Sequence, residues 1–417
     1  MSVIYNFILL FARSGYSLAG IFNTKAKAFS AGRRDIFKRL TAVLSSNTAP
    51  IIWVHCASLG EFEQGRPVIE NLKVEFPHYK ILLTFFSPSG FEVRKNYDQA
   101  DYIFYLPWDT KKNASHFIDI VKPVMAIFVK YEFWYHYSTQ LKKRNIPLLS
   151  VSSIFREDQL FFKRYGGFYR KILFNFTYFF VQNDESGKLL KSIKIQNFIK
   201  AGDTRFDRVN EMVKRSTELQ AVSIFKGKDK IMVIGSCWPE DLEVLIPFIN
   251  ENYHHIKFII APHEINESFI SNLEQSLNAE TIRYSKMLES AKVKEAQVLI
   301  IDNVGMLGRL YKYGEFAFIG GAFGKGLHNI LEAACYGVPI FFGNKNYQKF
   351  QEAVDLINRG GAFEVADYPD FKTTYEQVNL PQTFLLACEV TRQYVEENLG
   401  ATEKVMHYCR KLLAANP

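Results

Sequence analysis

From about residue 50 onward, short apolar runs alternate with longer amphipathic segments. The runs predict strands at 51–55, 81–85, 102–105, 124–129, 148–151, 178–182, 231–235, 258–260, 298–301, 316–319 and 339–342. Several are continuous Val, Ile and Phe runs, which is typical of strands buried on both faces. Intervening segments such as 67–74 and 240–250 predict helices. Repeated strand–helix units of this kind predict doubly wound parallel sheets.

The alternation stops at residues 207–230, where a polar, charged stretch ends in Lys226-Gly227-Lys228-Asp229-Lys230. We interpret this stretch as a linker, because a chain of 417 residues is long enough for two domains. The predicted fold class is α/β, with a membrane-associated segment at 1–40, a Rossmann-like domain at 41–210 and a second at 211–417. Open parallel sheets bind ligands at the carboxyl ends of their strands, so a cleft between the domains is the expected ligand site.

The first forty residues differ from the rest of the chain. An apolar run at 3–12 is followed by Arg13, and seven basic residues stand against Asp35 alone, which gives +6 of the total formal charge of +8. A short apolar helix followed by cations predicts an anchor in the membrane interface. An ordinary helix packed on the first domain, and a contact with an acidic partner protein, remain open alternatives.

Composition excludes several classes of protein. Since residues 41–417 carry only +2 of the formal charge, nucleic-acid binding is not expected. Apolar residues at 48% and charged residues at 23% exclude a disordered chain. No run approaches the roughly 20 apolar residues of a spanning helix. Five scattered cysteines without a CxxC pair argue against a disulfide framework or a zinc site and fit a reducing compartment.

Three polar motifs follow predicted strands of the first half. Glu61, in Ser58-Leu59-Gly60-Glu61, is a candidate general base, but the same S-x-x-E spacing also fits a capping box. Glu132, in Glu132-Phe133-Trp134, is a functional acid or only the polar start of a helix. Arg205, in Gly202-Asp203-Thr204-Arg205, is placed to reach a phosphate or leaving group, or else belongs to a surface turn with an internal Asp/Arg pair.

The second half contains a glycine-rich run at 320–337 after the predicted strand 316–319. The spacing matches neither a P-loop nor G-x-G-x-x-G. It predicts a helix that begins near His328 and Asn329 and holds a phosphate at its N-terminus, with Glu332 accepting from ribose hydroxyls. Pro262 and His263 follow one further strand of this half, and Gly305 follows another. All three are expected at the same edge of the sheet as the glycine-rich run. A metal site on His55, His263 and His328 is not expected, because no ligand spacing links them.

Several runs together resemble the 3-deoxy-D-manno-octulosonic acid (Kdo) transferases of lipopolysaccharide synthesis. The runs are HCASLGE at 55–61, TFFSPSGFE at 84–92, YLPWD at 105–109, EFW at 132–134, GDTRFD at 202–207 and the glycine-rich segment 320–337. Their order and spacing agree over nearly the whole chain, and NTKAKAFSAGRR at 23–34 is similar to the start of the family. The resemblance implies a GT-B glycosyltransferase with two Rossmann-like domains across a cleft. It places the acceptor on the N-terminal half and CMP-Kdo on the C-terminal half.

The resemblance also assigns residues. It makes Glu61 the general base, and it makes Glu132 and Arg205 the acid and the basic residue that stabilises the transition state. The CMP contacts fall on Pro262, His263, Val304, Gly305, Met306, Asn329, Ile330, Leu331 and Glu332. No metal and no cofactor beyond the donor substrate CMP-Kdo are implied.

The chain departs from the family pattern at three places. His263 stands where the family often has arginine, Arg205 stands where lysine is common, and the family's two prolines are absent around Asn329 and Glu332. Lys325 is a candidate source of positive charge near the donor phosphate.

The implied reaction is an inverting transfer of Kdo to a lipid A precursor (tetraacyldisaccharide 4'-phosphate) on the cytoplasmic face of the cell inner membrane. The alternatives are another GT-B enzyme, such as a sugar-nucleotide epimerase, and a non-catalytic nucleotide-binding protein at the membrane surface. The sequence does not fix the number of Kdo units, the acylation and phosphorylation pattern of the acceptor, the oligomeric state or the depth of membrane insertion.

Overall fold

The structure is a computed structural model in which residues 2–289 and 292–414 are described. The chain divides into two units, Met1–Asp207 together with Leu399–Pro417, and Arg208–Asn398. The division lies close to the border predicted at residue 210. The last segment, however, belongs with the first unit, whereas the sequence placed all of 211–417 in one domain.

The first unit contains one parallel sheet of seven strands in the order β3-β2-β1-β4-β5-β6-β7. The strands are β1 (Ile51–Cys56), β2 (Lys80–Phe85), β3 (Tyr102–Tyr105), β4 (Pro123–Val129), β5 (Leu148–Ser153), β6 (Tyr178–Val181) and β7 (Phe198–Lys200). The helices are α1 (Ser2–Ala19), α2 (Thr24–Ala31), α3 (Ile36–Leu44), α4 (Leu59–Glu75), α5 (Pro88–Arg94), α6 (Lys111–Val121), α7 (Tyr135–Lys143), α8 (Gly167–Leu173), α9 (Asp184–Ser192) and the start of α10 (Thr204–Arg215).

The second unit contains another parallel sheet of seven strands, in the order β10-β11-β9-β8-β12-β13-β14. Its strands are β8 (Ile231–Cys237), β9 (Lys257–Pro262), β10 (Thr281–Arg283), β11 (Val298–Ile300), β12 (Phe316–Ile319), β13 (Ile340–Gly343) and β14 (Ala362–Val365). Its helices are α11 (Gln220–Lys226), α12 (Pro239–Asn252), α13 (Glu267–Ser276), α14 (Leu307–Leu310), α15 (Leu331–Ala334), α16 (Gln351–Arg359), α17 (Tyr368–Val378) and α18 (Pro381–Glu397). The predicted doubly wound α/β fold is therefore confirmed.

The final helix, α19 (Ala401–Ala414), packs on the first unit. Its side chains Val405, Met406, Cys409 and Leu413 are buried in one apolar cluster with residues of β1 and α4. The backbone N–H groups of Gly400 and Thr402 both donate to the Asp207 carboxylate, each at 2.6 Å. These contacts explain why the end of the chain belongs with the first unit.

The segment predicted at 1–40 is part of the first unit: Ile36 and Leu40 of α3 are buried in its core, whereas α1 is attached through polar and aromatic side chains. The Tyr5 hydroxyl donates to Asp109 at 2.6 Å, Asn6 bonds the His136 ring at 2.7 Å, and Tyr16 stacks on Phe29 at 4.3 Å. Other apolar side chains of α1 are exposed, namely Ile4, Phe7, Ile8, Leu10, Phe11 and Leu18. Within residues 2–289 and 292–414, no helix has the length and apolar character needed to cross a membrane.

Candidate functional site

Glu61 lies at the carboxyl edge of the first sheet. All six residues of β1 are buried, the chain turns after Cys56, and Glu61 is a partly exposed residue in the first turn of α4. The Ser58 hydroxyl donates to Oε2 of Glu61. In the described part of the chain the Ser58 side chain makes no capping bond to the backbone of α4. The capping-box alternative is therefore not supported, because the serine bonds the carboxylate itself.

Glu132 follows β4 and is nearly buried, at 8% exposure. Its Oε2 accepts from Nε1 of Trp134 at 2.6 Å and lies 2.9 Å from Nε2 of His55. His55 is fully buried, and its Nδ1 lies 2.9 Å from the Thr84 hydroxyl. In the tautomer with a proton on Nε2, His55 donates to Glu132 and accepts from Thr84. The Trp134 ring N–H thus holds the Glu132 carboxylate in place, and in this tautomer His55 does so as well.

Arg205 is held by the carboxylate of Asp203 through its Nε at 3.0 Å and a terminal nitrogen at 2.8 Å. Burial alone raises the pKa of Asp203, but Arg205 and Gln64 outweigh burial and keep this pKa below its usual range. Gln64, one turn after Glu61 in α4, donates to Asp203 at 2.8 Å. The internal Asp/Arg pair anticipated for this motif is present, and it fixes the guanidinium beside α4.

The topology brings these residues to one edge. β1 and β4 are neighbours in the sheet although they are not consecutive, and such a switch in strand order is where open sheets bind ligands. Glu61 follows β1 and Glu132 follows β4. Burial raises the pKa of the Cys56 thiol, and the nearby charges of Glu61 and Glu132 raise it further. The first unit therefore presents two carboxylates at its switch point. Asp203 and Gln64 link Arg205 to α4, the helix that carries Glu61.

The corresponding switch point of the second sheet lies between β8 and β12. Trp238 follows β8, and its ring stacks on His263 at 4.1 Å, while its Nε1 donates to Nε2 of His328 at 2.9 Å. The Lys325 ammonium lies 3.9 Å from the centre of the Trp238 ring. Four residues from three separate segments thus form one aromatic and basic cluster.

The two histidines of this cluster are neutral near pH 7. Burial, with a smaller effect of the neighbouring His263, lowers the pKa of His328 to about 4. Burial also lowers the pKa of His263, and it outweighs Glu264, which acts in the opposite direction. His263 therefore does not replace the charge of the arginine common in the family, and Lys325 is the cation of the cluster.

The glycine-rich loop is organised by Asp241 of α12. The backbone N–H groups of Trp238 and Gly321 donate to this buried carboxyl at 2.8 and 2.9 Å. Burial raises the pKa of Asp241 to about 6, against the effect of these two hydrogen bonds. Gly321 has φ +94°, a conformation that favours glycine. The loop therefore depends on Gly321, which belongs to the predicted glycine-rich run, and on the carboxyl of Asp241, which no sequence motif indicated.

The helix predicted from His328 and Asn329 begins later and is short. The structure has turns and irregular chain up to Ile330, and α15 spans only Leu331–Ala334. Asn329 bonds the Glu332 carboxylate at 3.0 Å and also accepts from the Leu331 N–H at 3.3 Å. The helix thus begins within two residues of the predicted start, and the phosphate site at its N-terminus stays a prediction.

The other predicted donor contacts lie in the same unit. Pro262 ends β9, and Val304 is 86% exposed. Gly305 has φ +90°, and Met306 precedes α14. A Cβ built on Gly308 would lie 3.3 Å from Oε2 of Glu332, so α14 and the Asn329–Glu332 segment are neighbours.

Among residues 2–289 and 292–414, no group of three or more His, Cys, Asp or Glu side chains is arranged to hold a metal ion. All five cysteines are free thiols.

Sequence reasoning missed the partners of the predicted residues. His55, Trp238 and Asp241 each hold a predicted site residue or the glycine-rich loop in place. A signal existed for His55, which directly precedes the S-x-G-E turn at the end of β1. Trp238 and Asp241 come directly after β8. Since ligands bind at the carboxyl ends of parallel strands, both residues could have been predicted from this position.

The chain is similar in sequence to known proteins over most of its length. Residues 33–208 match the sequence profile of the family "3-Deoxy-D-manno-octulosonic-acid transferase (kdotransferase)". The chain is 27% identical over 334 residues to a 3-deoxy-D-manno-octulosonic acid transferase of Aquifex aeolicus, covering 78% of this chain and 85% of that protein. It is 25% identical over 403 residues to the transferase of the same name from Rickettsia felis, covering 93% of this chain and 86% of that protein.

Solved structures show the same fold. A UDP-GlcNAc 2-epimerase from Neisseria meningitidis has a TM-score of 0.60 at 16% identity, covering 88% of this chain and all of that one. MurG from Acinetobacter baumannii has a TM-score of 0.54 at 12% identity, covering 87% of this chain and 99% of that one. These similarities concern the GT-B-like fold alone. The matched domain and the relatives that span most of the chain are Kdo transferases, so the chain is similar to this group of glycosyltransferases.

Proposed function

We propose that the enzyme transfers Kdo from CMP-Kdo to a sugar hydroxyl of a lipid A precursor, with Glu61 as general base. The observation that carries this proposal is the position of Glu61, a partly exposed carboxylate at the switch point of the first sheet. Its side chain is bonded to the Ser58 hydroxyl instead of the helix backbone, so it is available for proton transfer.

The proposed step is a single displacement at the anomeric carbon of Kdo. The acceptor hydroxyl gives its proton to the Glu61 carboxylate, and its oxygen bonds to the anomeric carbon of Kdo. The bond from that carbon to the phosphate oxygen of CMP breaks, and CMP leaves with the electron pair. Attack from the opposite face inverts the configuration, and this mechanism assigns no role to a metal ion.

Glu132 and Arg205 assist this step in the proposal. His55 and Trp134 fix the carboxylate of Glu132, and Asp203 fixes the guanidinium of Arg205. Groups held in this way need little rearrangement as charge develops in the transition state. Arg205 supplies positive charge to the departing phosphate, and Glu132 serves as the acid.

The second unit binds the donor in this proposal. CMP contacts Pro262, His263, the turn at 304–306 and the segment 329–332. Lys325 supplies the positive charge beside the phosphate, since both histidines of its cluster are neutral. Glu332 accepts from ribose hydroxyls. We also propose that α1 holds the enzyme on the cytoplasmic face of the inner membrane.

A Glu61→Gln variant tests the base. We expect transfer to a tetraacyl disaccharide lipid A precursor to fall by about 10²–10⁴-fold while CMP binding is retained, because the amide keeps the shape but cannot accept the proton. Product mass, with CMP-Kdo regenerated enzymatically, gives the rate and counts the Kdo units.

Glu75→Gln is the matched control for this experiment. Glu75 ends the same helix and forms an exposed ion pair with Arg410, so its loss should leave transfer nearly unchanged. Equal rates for wild type and Glu61→Gln would reject Glu61 as the base. A folded wild type that binds CMP but transfers nothing would reject the Kdo assignment.

A further inference from the structure

A cavity of about 550 Å³ opens on the first unit beside α1, the turn between α2 and α3, and the segment after β3. Four basic residues line it, Arg13, Arg33, Arg34 and Lys38, and we call it the basic cavity. Asp35 is the acidic residue among its lining, and Trp108 and Asn113 complete the polar side. The lining therefore carries a net formal charge of +3.

Arg33 forms the buried end of this charge. Its guanidinium donates to the carbonyl oxygens of Leu106 at 2.8 Å, Phe29 at 3.0 Å and Phe86 at 2.6 Å. It pairs with no carboxylate among the described residues. Burial lowers the pKa of Arg33 to about 10, so the side chain is still a cation at neutral pH. Backbone carbonyls and the rings of Phe29, Phe86 and Tyr105 stabilise this cation without cancelling its formal charge, which adds to the positive potential of the cavity.

The other three cations are available to a ligand. Arg13, Arg34 and Lys38 are exposed, and in the described part of the chain none of them forms an ion pair. Three like charges on one cavity repel each other, and an anion between them removes that repulsion. Arginine and lysine side chains together are the usual ligands of a phosphate group.

The basic cavity is connected to the catalytic edge of the same unit by aromatic rings. Trp108, which lines the cavity, contacts Phe86 at 5.6 Å between ring centres, and Phe86 contacts Trp134 at 4.8 Å. Trp134 in turn donates to Glu132. A ligand in the cavity therefore lies two rings away from the side chain that fixes Glu132.

The basic cavity also adjoins an apolar surface. Arg13 belongs to α1, whose Phe7, Leu10, Phe11 and Leu18 are more than half exposed. One ligand that satisfies the cations, the aromatic rings and this apolar surface carries a phosphate, a sugar and acyl chains.

We propose that the basic cavity binds a phosphate group on the sugar headgroup of the glycolipid acceptor, through Arg13, Arg33, Arg34 and Lys38. This inference rests on the proposed function and adds the acceptor contact that orients the reacting hydroxyl towards Glu61. Bulk anionic phospholipid offers a similar phosphate chemistry, so the experiment separates the two sources.

The first test measures binding without the donor. Phosphatidylcholine vesicles carry the tetraacyl disaccharide with its phosphates, the same glycolipid after enzymatic dephosphorylation, or phosphatidylglycerol of equal charge. We expect wild type to bind the phosphorylated glycolipid most tightly. Arg34→Ala/Lys38→Ala should weaken that binding by about 10–100-fold and change binding to the other vesicles much less.

Lys25→Ala/Lys27→Ala is the matched control, since it removes the same charge from exposed positions of α2 outside the cavity. The second test repeats the comparison as transfer kinetics, with phosphorylated and dephosphorylated acceptors. The cavity variant should raise KM mainly for the phosphorylated acceptor, and the control variant should raise KM equally for both.

Two results would overturn the proposal. Equal weakening on phosphatidylglycerol and on the phosphorylated glycolipid would make the cavity a general membrane contact. Unchanged binding of the Arg34→Ala/Lys38→Ala variant to every vesicle would mean that these cations bind neither the glycolipid nor the phospholipid. If wild type transfers no Kdo but the binding preference is present and lost in the cavity variant, the proposed function fails and the phosphate site stands.

Discussion

Asp109 is a fully buried carboxyl that joins α1 to the start of α7. It accepts from the Tyr5 hydroxyl and from the backbone N–H groups of His136 and Tyr137. These hydrogen bonds favour the charged form, but burial outweighs them and raises the pKa of Asp109 to about 6. The folded protein therefore binds the Asp109 proton more tightly than the unfolded chain does.

This raised pKa predicts a pH dependence of stability. A carboxyl whose pKa is higher in the folded state stabilises the fold below about pH 4, and that contribution is lost as the pH rises through about 6. A shift of about two units corresponds to roughly 3 kcal/mol. Asp109→Asn should remove this pH-dependent loss. The free energy of unfolding, measured with urea, should therefore fall more steeply between pH 4 and 7 for wild type than for the variant.

The comparison isolates Asp109 because Asp241, whose pKa burial also raises to about 6, is present in both proteins. At pH 4 the wild-type carboxyl is protonated and resembles the amide of Asp109→Asn, so the two proteins should differ least in stability there. Parallel pH profiles for the two proteins would contradict the expected role of burial.

The residues of the candidate site that could be predicted from the sequence are those that directly follow a strand. Glu61 and Glu132 could be placed because the carboxyl ends of parallel strands meet at one edge. Their surroundings could not be predicted, because His55 is 77 residues from Glu132 in sequence and meets it only through the pairing of β1 with β4. The charge states of His263 and His328 also required the structure, because burial determines them.

At the scale of elements, the loop after β12 depends on Gly321. A Cβ at this position would lie 2.5 Å from the Gly326 carbonyl oxygen and 2.8 Å from the His328 ring. Because the φ of +94° also strains any other residue, Gly321→Ala should distort the loop that carries Lys325 and His328. We expect CMP affinity to fall by at least about tenfold, measured by calorimetry, with the variant still folded.

Gly324→Ala is the control within the same loop. Its φ lies outside the left-handed region, and its Cβ would meet the flexible end of Glu240 at 3.2 Å. CMP affinity should therefore stay within about threefold of wild type. Wild-type affinity in Gly321→Ala would show that the loop does not contact the donor.

The element pattern was predictable for buried strands and poorly for edges. All eleven predicted strands are present, and the missing ones are β7, β10 and β14, each at the edge of a sheet. Edge strands are short and partly solvated, so they lack a continuous apolar run. The sequences Phe198-Ile199-Lys200 and Thr281-Ile282-Arg283 show this directly.

At the scale of the whole molecule, no local pattern in the sequence indicated that the chain returns to its first unit. The apolar face of α19 predicts burial but does not name the surface that buries it. The bonds from Gly400 and Thr402 to Asp207 fix the return, and they join residues about 200 positions apart. Contacts of this range follow from the three-dimensional arrangement and not from local pattern.

The N-terminal helix permits a test of membrane attachment on the intact protein. Tyr5 and Asn6 attach α1 to the first unit, while Phe7 and Phe11 are 56% and 74% exposed. Burying two phenylalanines in a membrane interface is worth up to roughly 4 kcal/mol, so Phe7→Asp/Phe11→Asp should weaken co-sedimentation with anionic vesicles by far more than tenfold. Leu385→Asp/Leu386→Asp on α18 makes the same kind of change at positions 66% and 57% exposed. It should leave vesicle binding unchanged, and equal losses in the two variants would mean that α1 is not the anchor.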